Sequence, residues 1–202
     1  MHLFFNQIVF IYLSTLKLYY DKKIFTLAVL LCSFTTIQAQ EFKVQNYVLE
    51  KAEDYAKYEQ DVVAATKWLI ETPINTEADK RAKVNAFLLK WFEGTPSITF
   101  NINADIVTFI EESPESFMIY LAGWASYCIE NNDYKNELQG NIRGIESVIA
   151  FYNANKKTTG KIKTIERYKK LKKKGKLEKH LQSKLKHPKK TLYIVRPENQ
   201  ML

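Results

Sequence analysis

Apolar side chains between residues 44 and 152 recur every three, four or seven positions, a helical period sustained over most of that length. Val44, Val48, Ala52, Tyr55, Val62 and Leu69 stack on one face of a first helix over 44–71. Pro73 closes it, because the residue before a proline is pushed out of the helical region. Thr76 and Asp79 stand at capping-box spacing and open a second helix. Val84, Phe87, Leu88, Trp91 and Phe92 face inward there, and Gly94 ends it. Asn103 caps a short helix to Glu112. Ser113, Pro114 and Glu115 then supply an N-cap, a first-turn proline and a carboxylate suited to the helix dipole. The helix they open reaches about Asn131 and carries Phe117, Tyr120, Leu121, Trp124, Tyr127 and Cys128. After a turn at Asn132 and Asp133, the stripe Leu138, Ile142, Ile145, Ile149 and Tyr152 marks a last long helix.

Two details refine this pattern. Residues 97–102 alternate apolar and polar, but no partner strand lies nearby, so they are read as an extended linker across a helical core. Gly123, Gly140 and Gly144 sit inside helices, where glycine costs about 1 kcal/mol relative to alanine, so close helix–helix approach is predicted. The fold class implied is all-α: an antiparallel helical bundle or stacked helical hairpins, with a basic C-terminal extension.

Charge divides the chain more sharply than its overall value of +8 suggests. Residues 40–155 carry 10 Lys and Arg against 18 Asp and Glu. Residues 156–190 carry 16 Lys and Arg against only Glu166 and Glu178. The expected organisation is an acidic helical domain over 40–155 that folds on its own, and a basic tail over 156–202, partly helical or disordered. Ahead of them, residues 1–39 form a leader region. Lys22 and Lys23, an apolar run from Ile24 to Phe34, and a polar stretch ending at Ala39 have the three-part order of a secretory signal peptide over about 18–39. The run is too short for the ~20 residues that span a bilayer, so no stable transmembrane span is expected in the mature chain. The segment resembles the leaders cleaved by signal peptidase I in Gram-negative bacteria. That resemblance implies cleavage near Ala39 and a periplasmic or secreted protein.

Most catalytic chemistries lack their residues. The histidines are His2, His180 and His187, so the acidic domain offers no base for a Ser-His or Cys-His arrangement. One cysteine, Cys128, comes after the leader, and no zinc ligand cluster or phosphate-binding glycine loop is present. Neither catalytic residues, nor a cofactor, nor a metal are expected. Glu111, Glu112 and Glu115 cluster at a helix junction, and Glu115-Ser116 resembles the Glu-Ser start of lytic transglycosylase motifs, without that family's downstream glycine-rich stretch. A carboxylate-dependent cell-envelope hydrolase is therefore one alternative function. Gly123-Trp124-Ala125-Ser126-Tyr127 with Asn132-Asp133-Tyr134 resembles the first helix and turn of a tetratricopeptide repeat. This implies helical-hairpin packing, although no second copy stands at a 34-residue period.

The densest cationic run holds Lys169, Lys170, Lys172, Lys173, Lys174 and Lys176, the candidate anion-binding residues. Leu177, Leu181 and Leu185 recur every four residues beside it, as on an amphipathic helix. The expected function is a non-enzymatic, exported interaction protein whose tail contacts an anionic envelope component or a protein partner. Export argues against nucleic acid as the partner. A nucleic-acid-binding protein that stays inside the cell is the remaining alternative.

Overall fold

A computed structural model describes residues 46–188 and 191–193. The leader, its cleavage point and Val44 lie outside the described residues. All described residues belong to one compact unit. Among them, seven helices order as α1 Ala52–Lys57, α2 Glu59–Glu71, α3 Ala78–Gly94, α4 Glu115–Asn131, α5 Glu137–Thr159, α6 Lys163–Lys173 and α7 Leu177–Lys186. The fold is all-α, as the apolar periodicity requires. Among the described residues, no helix is long and apolar enough to cross a membrane.

The core is organised around α4. Ser116 and Ile119 to Ser126 are all buried, as are Cys128 and Ile129, because helices cover α4 on several sides. Its largest contact is with α5, its next with α2. The glycines explain how α4 and α5 come so close. A Cβ on Gly140 would strike the Trp124 indole, and one on Gly144 would lie 2.8 Å from the Tyr120 carbonyl oxygen. As the α4 position falls from Trp124 to Tyr120, its α5 partner rises from Gly140 to Gly144, so the helices are antiparallel. The turn between them is set by Asn132, in the left-handed region at φ 50°, and by Asn136, whose Oδ1 accepts the Gln139 N–H to cap α5. Tyr120 is fully buried and its hydroxyl donates to Asn141 Oδ1, while Asn141 Nδ2 donates to the Glu137 carbonyl at 2.7 Å. Burial pushes the Tyr120 phenol well above its ordinary value, so it stays a donor.

Several local expectations are corrected. Of the helix expected over 44–71, residues 46–51 are not helical and the remainder is broken at Tyr58. At the break the Tyr55 carbonyl accepts both the Tyr58 N–H at 3.2 Å and the Trp91 Nε1–H at 3.0 Å. The non-helical backbone at 46–50 also changes which side chains face the core. Leu49 is buried, whereas Val48, expected inward, is 53% exposed, and Ala52 is exposed too. Thr76 makes no capping box, because its hydroxyl donates to the Pro73 carbonyl and closes a turn. Residues 104–112 form successive turns in place of a short helix, since Ile106, Val107 and Phe109 must all be buried. Asn103 keeps a capping role there, with its Oδ1 accepting the Asp105 N–H at 2.8 Å. The alternating segment does find a partner. Strand β1, Asn101–Asn103, pairs antiparallel with β2, Thr191–Tyr193, with Ile102 opposite Leu192. That partner is ninety positions away in sequence, beyond the reach of any local pattern.

Burial continues across the charge reversal at residue 156. That position lies inside α5, and Ile162, Ile165, Tyr168, Leu177 and Leu181 beyond it join the same core as α2–α5. Tyr168 donates its hydroxyl to the Ile106 carbonyl at 2.7 Å, and Asn103 Nδ2 donates to the Lys184 carbonyl at 3.0 Å. A chain stopped at Asn155 uncovers these contacts. Each fully buried large apolar side chain is worth about 1.5–3 kcal/mol. Losing Ile165, Tyr168, Leu177 and Leu181 therefore removes stability of the order of the whole ~5–15 kcal/mol typical of a domain. Thermal unfolding followed by circular dichroism is expected to be cooperative for residues 40–202 and broad for residues 40–155.

Candidate anion-binding surface

The inward face of α6 dictates its outward one. Ile162, Ile165 and Tyr168 are buried, and Leu171 packs against the core partly covered. Lys163, Arg167, Lys170 and Lys174, spaced by four, three and four residues, consequently share the opposite side. With Lys161 they line an open groove of about 370 Å³, in which Leu171 is the apolar element and Glu166 the acidic one. Glu166 is engaged elsewhere. It pairs with Lys156 and accepts the Tyr152 hydroxyl at 2.9 Å, and these two bonds hold its carboxyl below the ordinary glutamate value. Among the described residues, none of the five cationic side chains lining the groove makes an ion pair.

The six candidate lysines divide by where α6 points them. Lys170 and Lys174 line the groove. Lys169 turns back to α5, donating to Asn153 Oδ1 at 2.6 Å, and Lys172 pairs with Glu146 of α5 at 2.9 Å. Lys173 and Lys176 are exposed, outside the groove lining. Lys161, Lys163 and Arg167, which complete the groove, lie ahead of the dense run. Their signal in the sequence is helical spacing, a separate property from local lysine density.

The acidic side chains at the 111–115 junction have structural partners. Glu112 spans to the start of α6, where its carboxylate accepts the Lys163 N–H at 3.2 Å and the Thr164 hydroxyl at 2.8 Å. Glu115 accepts the Ser113 hydroxyl at 2.8 Å, and Glu111 is exposed. Cys128 is fully buried, and desolvation is the main reason its thiol is pushed up to about 11. His180 meets the Tyr168 ring edge-on, and burial together with Arg167 and Lys184 lowers its value, leaving it neutral at pH 7. No family model matches this chain, and the comparisons with curated proteins and solved structures found no match. Among the described residues, no group of three or more metal-type ligands converges.

Glu112 ties the groove-bearing helix to the rest of the unit, and its chemistry gives a pH dependence. Hydrogen bonds from Thr164 and Lys163 lower its carboxyl below the ordinary value of 4.5. A depressed carboxyl stabilises the fold above its unfolded-state value, and that contribution is lost as pH falls through the folded one. Glu112→Gln is expected to lower the melting temperature at pH 7 and to narrow the gap from wild type below pH 4.5. Melting curves across that range read this directly.

Proposed function

We propose that this chain is an exported, non-enzymatic helical interaction protein that uses the α6 groove to hold an anionic component of the cell envelope. The carrying observation is the convergence of Lys161, Lys163, Arg167, Lys170 and Lys174 on one groove, none of them in an ion pair among the described residues. Scattered cations would give only diffuse surface charge, whereas a shared face concentrates potential over a site of molecular size. Leu171 offers apolar contact beside the cations, which suits an amphiphile with a phosphate or carboxylate head better than a bare ion. The leader order of Lys22-Lys23, apolar run and Ala39 supports export, and export brings an envelope surface within reach.

Two measurements test this. Mass spectrometry of the protein recovered from outside the cytoplasm is expected to give an N-terminus at Gln40; a recovered chain still carrying Lys22 contradicts cleavage there. Retention on vesicles containing anionic phospholipid is expected at low salt and should fade with added salt, because exposed charges are screened over about 8 Å at physiological ionic strength. Replacing Lys163, Arg167, Lys170 and Lys174 with Gln is expected to abolish retention while leaving helicity unchanged. Replacing Lys173 and Lys176 instead should leave most of it. Equal loss from both sets would mean that diffuse charge, and not the groove, does the binding.

A further inference from the structure

Four of the five cations lining the α6 groove fall into two pairs. Lys163 and Arg167 stand four residues apart, and so do Lys170 and Lys174, a spacing that makes side chains neighbours on a helix surface. Lys161, ahead of the helix, is the fifth. The second pair repeats the first after seven residues, which is close to two full turns, so both pairs share one face to within ~20°. With a rise of about 1.5 Å per residue, their midpoints lie about 10 Å apart along the axis. All four side chains are exposed, and Leu171 is the apolar element of the groove they line.

Like charges four residues apart repel, so each pair weakens the helix until an anion sits between its members. The acids nearest to them are held elsewhere. Glu166 belongs to Lys156 and the Tyr152 hydroxyl. Glu112 gives its oxygens to the Lys163 backbone N–H and the Thr164 hydroxyl. Among the described residues, no member of either pair is in an ion pair. One phosphate-sized anion can bridge one pair, whose members stand about 6 Å apart, and it leaves the other pair repelling. A long polyanion would run past the groove, which ends with the helix. Gly175, at φ 63°, turns the chain after Lys174, and Lys173 and Lys176 lie outside the lining. A ligand that satisfies both pairs at once has two anionic heads about 10 Å apart, joined by a stretch that passes Leu171.

We infer that the α6 groove holds a single molecule with two phosphate-type heads, one clasped by Lys163 and Arg167 and the other by Lys170 and Lys174. This rests on the reading of the groove as an anion site and narrows it, because the envelope amphiphile then carries two such heads on one molecule. The full chain, labelled with nitrogen-15, is titrated at low salt with a hexane chain bearing a phosphonate at each end. Hexylphosphonate is the one-headed probe, and a propane chain with two phosphonates supplies the same charge over a shorter span. The hexane bisphosphonate is expected to shift the amide signals of both pairs along one saturation curve. It should bind about tenfold or more tightly than hexylphosphonate, since a second head on the same molecule meets its pair intramolecularly. The propane compound should fall several-fold short of it. Lys163→Gln with Arg167→Gln, and separately Lys170→Gln with Lys174→Gln, should each bring the two-headed probe down close to the one-headed one. These positions are exposed, so the helicity of both variants should match that of the unsubstituted chain. An equal loss from Lys173→Gln with Lys176→Gln overturns the inference, because charge alone would then be the cause. Equal affinity of the two hexane probes also overturns it, while leaving the groove an anion site. So does absence of binding by every probe; if anionic vesicles still retain the protein the anion-site reading stands, and if they do not it falls as well.

Discussion

Close contact between α4 and α5 is the constraint on which the rest of the structure depends. Gly140 and Gly144 leave space for the Trp124 and Tyr120 rings, and Gly123 leaves space for Ser147. Glycine is a poor helix former, and its cost here is offset by the dispersion gained when two backbones approach closely. The seam also carries its own polar register, because Tyr120 and Asn141 satisfy one another deep in the core. With α4 held this way, its other faces are free to receive α2 and α3, and α5 is positioned to receive α6 and α7.

Electrostatics then decides which cations remain available. Carboxylates are committed at defined points around α6, two from the acidic part of the chain and one from α6 itself. Glu112 caps α6, Glu146 takes Lys172, and Glu166 takes Lys156. Exposed pairs of this kind are weak because water screens them, so they orient α6 more than they hold it. Apolar burial of Ile165 and Tyr168 does the holding. The consequence is sorting. Lysines on the α5 side of α6 are engaged, and those on the opposite face line an open groove.

The same seam borders a second groove, of about 260 Å³, between α2, α4 and α5. Gly123 lacks a side chain for the sake of α5, whose Ser147 fills the space a Cβ would take, and it also lines the second groove. The two grooves differ in chemistry. One is a cationic face on α6, and the other is lined by Lys67 and Arg143 together with Glu71 and Glu130.

Much of the fold was legible because helical periodicity is a local property. The spacing of Val84, Phe87, Leu88, Trp91 and Phe92 suffices to place α3, and Pro114 and Asn132 suffice to bound α4. The internal glycines announced a close seam, since nothing else offsets their cost within a helix. The lysine-rich segment was visible as charge, but which lysines share a groove depended on which face of α6 the core buried. Pairing of β1 with β2, the break at Tyr58 and the turns over 104–112 all rest on distant partners: Leu192 for Ile102, Trp91 for Tyr55, and Tyr168 for Ile106. The groove between α2, α4 and α5 left no trace in the chain order, because Lys67, Gly123 and Arg143 meet only when three helices pack. The sequence by itself determined the helices and the excess of positive charge, both set by neighbours within a few residues. Tertiary structure alone decided which side chains converge, because convergence depends on contacts between residues far apart along the chain.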